Sequence, residues 1–211
     1  MKSYLTEAIG TFFLVLTVGL CVNGGVAMAP LAIGSALMIM VYAGGPVSGG
    51  HYNPSVSFAA WSRGALPTKE LLPYWAAQFV GALLAGFLIY ELTGTALHVA
   101  PGASVSWMKA LTAEVVFSFA LSYVVLNTAT AKAVAGNSYF GLAIGFTVMT
   151  GAFAVGGISG GAFNPAVGLG PAIMELVLGG SPTPMAWIYA AGPLLGAAGA
   201  AYAFKFQHAG E

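Results

Sequence analysis

The stretches SGGHYNPSV (residues 48–56) and SGGAFNPAV (residues 159–167) repeat each other and lie about half the chain apart. Each is typical of a glycine-rich loop that enters a helix, with an asparagine, Asn53 or Asn164, as the N-cap and proline as the first helical residue. Proline is favoured there because its φ is already helical and it has no backbone N–H to leave unpaired. Glycine-rich breaks at corresponding positions in two apolar halves are the sequence pattern of a membrane transport site.

The composition excludes a protein with a water-facing surface. Of the 211 residues, 58% are hydrophobic and only 6% are charged, whereas soluble domains carry about 25% charged residues. The apolar runs lack the alternation of an outer-membrane barrel strand, so we expect an all-α membrane protein that is embedded in lipid. The formal net charge is zero, which gives no reason to expect a nucleic-acid partner.

Six apolar runs are long enough to cross a hydrocarbon core of about 30 Å, which takes about 20 helical residues. The two repeated stretches fall between the second and third runs and between the fifth and sixth, where they predict two short helices that re-enter the membrane. Little chain is left for a soluble domain, so we predict one transmembrane domain over 1–211. The predicted spans are 4–22, 26–44, 71–92, 110–130, 138–157 and 185–204, and the predicted half-helices are 55–61 and 166–178.

The two halves, about 1–100 and 105–211, have the same plan of three spans and one half-helix. Because three spans are an odd number, the second half faces the opposite way, and the fold is predicted to be an inverted repeat. Lysine and arginine placement predicts that both termini are cytoplasmic. On the predicted cytoplasmic side lie Lys2, Arg63, Lys69, Lys132 and Lys205, and on the other side only Lys109.

Each half begins with an acidic residue inside an apolar span, Glu7 in the first and Glu114 in the second. A carboxylate at membrane depth could accept N–H bonds from the glycine-rich loop of its own or the other half, because such a backbone needs partners. A proton relay is the alternative role for an intramembrane acid. We favour the anchoring role, because a relay usually needs further titratable groups in line and the rest of the bundle contains only His51.

With these residues the chain resembles the aquaporin and aquaglyceroporin family. The resemblance implies that the two half-helices meet N-terminus to N-terminus near the membrane midplane and that Asn53 and Asn164 donate hydrogen bonds to a passing molecule. It also implies a passive channel that assembles as a homotetramer, with one pore in each subunit. The resemblance is carried by the boxes Asn53-Pro54-Ser55 and Asn164-Pro165-Ala166, by Glu7 with Gly10-Thr11, by Glu114, and by Gly192-Pro193.

The chain departs from the family at the narrow outer filter. An arginine usually follows the second box, but Val167 stands there, and the family's spacing places Ile33, Ala152 and Gly161 at the other filter positions. None of these four side chains carries a charge or a hydrogen-bond donor. We therefore expect a wide channel for water and small uncharged solutes of the glycerol, urea or ammonia class; a strictly water-selective aquaporin is the alternative.

Two histidines and one tryptophan lie outside the repeated pattern of asparagines and acids. His51 precedes Asn53 by two residues, where its titration near neutral pH could gate the pore, although packing within the loop is the simpler interpretation. His98 lies in a connecting loop and is not expected to act as a ligand. Trp75, near a predicted span end, is expected to be an interfacial anchor.

Other classes of protein fit the sequence less well. A coupled secondary transporter shares inverted repeats and broken helices but usually needs buried charges beyond two anchoring acids, and a non-conducting structural membrane protein would not need to keep the pore asparagines. The sequence shows no metal-ligand cluster and no Ser/His pair at useful positions, so no enzyme, cofactor or metal is expected. The short termini and the absence of a targeting signal predict a prokaryotic inner membrane.

Overall fold

The structure, a computed structural model, describes residues 1–210, so Glu211 of the predicted domain lies outside the described residues. It confirms the all-α prediction: the described residues form eight α-helices and no strand. Six helices are long, and two are shorter and follow the repeated loops. In chain order they are α1 (Lys2–Asn23), α2 (Ala29–Ser48), α3 (Pro54–Arg63), α4 (Thr68–Thr93), α5 (Trp107–Val125), α6 (Phe140–Ser159), α7 (Pro165–Val177) and α8 (Ile188–Gln207).

The six long helices agree with the six predicted spans to within a few residues at either end. Five of them, α1, α2, α4, α5 and α6, are long and apolar enough to cross a membrane, with mean hydropathies of 1.6 to 2.0. Helix α8 also has 20 residues, which at 1.5 Å per residue is about the 30 Å of a bilayer core. It is rich in glycine and alanine, which let neighbouring helices approach closely.

Local sequence sets where the helices begin. The second apolar run starts at Val26, but α2 begins only at Ala29, because Pro30 occupies its first turn. The two short helices begin at Pro54 and Pro165, each directly after its N-cap asparagine. Helix α5 ends at Val125, but the chain continues as a single π-helical turn, Leu126–Thr130. This turn accounts for the predicted end of the span at 130.

The two halves pack in the same way, as an inverted repeat requires. Helix α1 packs along α4 and α5 along α8, while α2 and α6 join the halves. Where α2 crosses α6, a Cβ on Gly34 would lie 2.6 Å from the carbonyl oxygen of Gly145, and a Cβ on Gly145 would lie 2.5 Å from that of Gly34. The joint between the halves therefore depends on two small residues, as helix contacts in lipid commonly do.

We expect Gly145→Ala to destabilise the fold by about 1–3 kcal/mol, because the added methyl meets the backbone of α2 and has no free space to occupy. Gly157→Ala is the matched control on the same helix, since nothing lies within 4 Å of the Cβ it would add. Thermal unfolding of both variants in detergent micelles measures the difference. Equal transition temperatures for the two variants would contradict this account of the joint.

Candidate functional site

A cavity of about 320 Å³ lies between the two halves and is lined by residues of both, including Asn53 and Asn164. A second cavity, of about 620 Å³, opens at the end of the bundle where the two termini lie. His51 and Val125 line both cavities and so mark the place where they adjoin. Between them the two cavities contact both repeated loops.

The two asparagines hold the loops to each other by reciprocal hydrogen bonds. Asn53 Nδ2 donates to the carbonyl oxygen of Phe163 at 2.9 Å, and Asn164 Nδ2 donates to that of Tyr52 at 2.9 Å. Each amide therefore bonds to the residue that precedes the asparagine of the other loop. An amide group carries two N–H donors, so each asparagine keeps a second N–H, with no protein partner among residues 1–210, beside the cavity that it lines.

The same asparagines cap the half-helices. The Oδ1 atom of Asn53 accepts the backbone N–H of Ser55, and that of Asn164 accepts the N–H of Ala166, both at 2.9 Å. The serine that replaces alanine in the first box adds a 2.7 Å bond from its hydroxyl to Asn53 Oδ1. Capping fixes the carbonyl end of each side chain, which leaves the NH₂ end to face the opposite loop and the cavity.

The residue before each asparagine has a left-handed backbone, with φ of 49° at Tyr52 and 48° at Phe163. A bulky residue in this region is a strained outlier that persists only where its surroundings hold it. Both residues are held at two points: the carbonyl accepts the opposite asparagine, as above, and the N–H donates to a buried carboxylate at 2.7 Å. This conformation turns each carbonyl toward the other loop.

The carboxylates are Glu7 and Glu114, and each contacts the loop of its own half. Glu7 accepts the hydroxyl of Ser48 at 2.6 Å and the backbone N–H groups of His51 and Tyr52 at 3.0 and 2.7 Å. Glu114 repeats this arrangement with Ser159, Ala162 and Phe163, at 2.7, 3.0 and 2.7 Å. Both acids are fully buried.

A tyrosine from the third span of each half completes the arrangement. Tyr74 donates its hydroxyl to the carbonyl of Ser48 at 2.8 Å, and Tyr189 donates to that of Ser159 at 2.6 Å. These bonds satisfy the last carbonyls of α2 and α6, which no helical N–H reaches. The sequence alone indicates no role for either tyrosine, although each lies on the last long helix of its half.

The halves differ in what surrounds the acids. In the first half Gln78 Nε2 donates to Glu7 at 2.8 Å and to the Ser57 hydroxyl at 2.9 Å. That hydroxyl lies 3.0 Å from His51 Nδ1, so polar contacts link the acid to a histidine that lines both cavities. In the second half Gly192 packs closely against the acid, since a Cβ added to this glycine would lie 2.6 Å from that of Glu114.

The four predicted filter residues, which come from four separate segments, line the same 320 Å³ cavity. They are Ile33 on α2, Ala152 on α6, Gly161 in the second loop and Val167 on α7. Their side chains offer only hydrocarbon or hydrogen to this part of the cavity.

The structure adds a residue to the cavity wall that sequence analysis set aside. His98, in the loop 94–106 between α4 and α5, lines the cavity and lies with Nδ1 3.0 Å from both carboxylate oxygens of Glu175 on α7. A lone histidine in a connecting loop gives no sequence signal for such a position. Trp75 also differs from its predicted interfacial role, because its indole N–H donates to the carbonyl of Pro54 at 2.9 Å.

Arg63, the last residue of α3, joins the first half-helix to the second half. Its guanidinium donates to the hydroxyl of Thr130 at 2.9 Å and to the carbonyl of the same residue, and it lies 4.8 Å from the centre of the Phe204 ring. A cation over an aromatic face is attracted by the ring quadrupole. These contacts fix the C-terminal end of α3 beside the 620 Å³ cavity, which Arg63 also lines.

Comparison with known proteins gives a consistent result. The family model described as "Major intrinsic protein" matches residues 1–204. Aquaporin NIP1-1 of Zea mays is 33% identical over 97% of this chain and 74% of its own length, and aquaporin TIP1-2 of Zea mays is 36% identical over 92% and 75%.

The solved structures include the aquaglyceroporin from Plasmodium falciparum, which superposes with a TM-score of 0.86. It covers 99% of this chain and 96% of its own, at 20% sequence identity, which shows a shared fold. A family match over nearly the whole chain, with paired half-helices around one cavity, leads to one conclusion. The chain belongs to the major intrinsic protein family, and it is an integral membrane protein that acts as a passive channel and not as an enzyme.

Proposed function

We propose that this channel passes water together with small uncharged solutes of the glycerol, urea or ammonia class. The observation that carries the proposal is the lining beside the second box. Val167, Ile33, Ala152 and Gly161 line one cavity and present no charge and no side-chain donor. Pore selectivity depends on diameter and on the hydrogen-bonding groups of the lining, so we expect this filter to admit a small polyol, for which no fixed cation competes.

The paired asparagines supply the polar contacts of the otherwise apolar pore. The N–H that each amide keeps free can donate to the oxygen of a passing water or hydroxyl group. The N-termini of α3 and α7 are brought together by the reciprocal bonds, and each contributes about half a positive charge. We propose that this field excludes cations and hydronium, as positive half-helix ends do in aquaporin-type pores.

We propose that Glu7 and Glu114 anchor the two loops. Their partners are loop N–H groups and the serine that starts each loop, and these contacts hold the two strained residues. A carboxylate that accepts several hydrogen bonds satisfies backbone groups that the bilayer could not. A proton relay would need titratable groups in line across the bundle. Among the contacts described, the polar chain from Glu7 ends at His51, and the contacts of Glu114 include no other titratable side chain.

His51 lies where the two cavities adjoin, so two roles remain to be separated. We propose a packing role, because Ser57 engages its Nδ1 atom and its ring lies 5.3 Å from that of Tyr74. Gating by His51 stays the alternative prediction. A water permeability that changes with pH in the wild type and not in His51→Ala would support gating over packing.

Assembly and membrane placement are also proposals. Large apolar side chains such as Phe87, Phe153 and Phe206 are exposed on the outside of the bundle, where lipid or a neighbouring copy must cover them. We propose a homotetramer with both termini on the cytoplasmic side, in line with the placement of lysine and arginine. A prokaryotic inner membrane stays a prediction, since the relatives named above come from a plant.

We expect Val167→Arg to retain water permeability and to lose glycerol and urea permeability. An added barrier of about 1.4 kcal/mol for the larger solutes would slow them about tenfold. Stopped-flow light scattering on proteoliposomes measures all three solutes, with Val167→Leu as the uncharged control. Glycerol flux that is absent from the wild type would favour the strictly water-selective alternative, and the absence of every flux would favour the non-conducting one.

We expect Glu114→Gln to destabilise the channel by about 1–3 kcal/mol, the range for leaving a buried group without its partner. The amide keeps one oxygen, but it directs an N–H at loop donors that need an acceptor. Thermal unfolding in detergent micelles measures the change. Glu91→Gln, at the exposed end of α4, is the control, and an equal effect of both substitutions would contradict the anchoring role.

A further inference from the structure

The outer mouth of the pore, at the end of the bundle away from the termini, contains a polar group that the filter lacks. His98 lines the same cavity as the filter residue Val167 and both asparagines. Its side chain is 49% exposed, whereas that of its partner Glu175 is only 13% exposed. The histidine thus faces open space in the cavity mouth, and the carboxylate behind it is largely covered.

The loop that carries His98 is held against the second half. The N–H of Gly102 donates to the carbonyl of Ile158 at 3.2 Å, and a Cβ on Gly102 would lie 2.7 Å from the carbonyl oxygen of Gly157. Leu97, next to the histidine, is only 2% exposed. His98 is therefore positioned by a packed loop and by Glu175, which lies on α7, the half-helix that Asn164 caps.

The contact with Glu175 selects the chemistry that His98 presents. A carboxylate accepts, so the Nδ1 atom carries the proton that it shares with the two oxygens. Nε2 has no protein partner among residues 1–210. It is the ring nitrogen available to a solute, as an acceptor in the neutral imidazole and as a donor in the charged one.

We propose that His98 is a solute-contacting residue that narrows the outer pore mouth and favours water over larger solutes, and that Glu175 is its positioning residue. The proposal deepens the proposed function and rests on it, because it places a second selective element outside the apolar filter. The pair contributes little to folding, because His98 is half exposed and water screens a contact at such a position. Its removal therefore leaves a folded channel to measure.

The first test is the accessibility of position 98 to a thiol reagent. Cys21 is the only cysteine of the chain, so a Cys21→Ser background accepts one new thiol at a time. We expect a cationic methanethiosulfonate, added on both sides of proteoliposomes, to remove more than about half of the water flux of the His98→Cys variant, since it fills the mouth of the pore. Ser181→Cys is the control, at an exposed position outside the cavity lining.

The second test separates positioning from a structural role. We expect His98→Ala to raise the ratio of glycerol to water permeability at least about twofold, because a ring is removed from the lining. Glu175→Leu should match it, Glu175→Gln should stay near the wild type because its carbonyl still accepts from Nδ1, and adding Glu175→Leu to His98→Ala should change nothing further. A structural role would instead lower both fluxes and the transition temperature.

The outcomes distinguish this proposal from the proposed function. If the wild type conducts water and no glycerol, the proposed solute class fails, while the thiol block of water flux still decides whether His98 lines the mouth. If modification at position 98 leaves water flux as unchanged as modification at position 181, the proposal is overturned. An unchanged permeability ratio in His98→Ala overturns its selective role.

Discussion

The reciprocal hydrogen bonds between the two loops are the constraint on which the rest of the site depends. Each asparagine donates to the carbonyl that precedes the other, and this is possible only if Tyr52 and Phe163 adopt a left-handed backbone. That conformation costs free energy, of the order of 1–3 kcal/mol for each residue. Buried Glu7 and Glu114 offset the cost by accepting the N–H groups of the same two residues.

The two halves hold their loops with nearly identical geometry, so the two loops contribute to one pore in the same way. The distances from acid, asparagine and serine to their partners agree between the halves to within about 0.1 Å. The halves differ only in side chains around this frame. The first half adds the polar network of Gln78, Ser57 and His51, and the second half contributes three of the four proposed filter residues, none of which has a polar side chain. Fold and loop geometry are thus shared by the halves, and the proposed selectivity rests on the side chains by which they differ.

Much of the fold followed from the sequence because the bilayer limits the choices. Helix length, apolar runs and an asparagine–proline start each have a direct pattern, and the structure confirms the all-α architecture that they predict. The proposed filter positions do not follow from the residues themselves, since Ile33 and Ala152 have no local signal and are placed only through the family resemblance.

Contacts between distant parts of the chain could not be predicted. The bond from Asn53 to Phe163 joins residues 110 positions apart, and the left-handed backbone falls on Tyr52 and Phe163 where residue preference would assign it to glycine. The position of Trp75 near a span end predicts an interfacial anchor, yet its indole N–H donates to the carbonyl of Pro54, the first residue of α3. His98 was set aside because only the packed loop brings it to Glu175.

The central claim is that the paired half-helix ends exclude cations from a pore whose filter has no arginine. The most direct measurement is a simultaneous record of water, glycerol and proton flux in wild-type proteoliposomes, with light scattering for the first two and an internal pH-sensitive dye for the third. The account predicts that water and glycerol pass while the proton flux equals that of protein-free vesicles. A proton flux that rises with the amount of channel would contradict it, since the asparagine-capped helix ends would then not supply the barrier assigned to them.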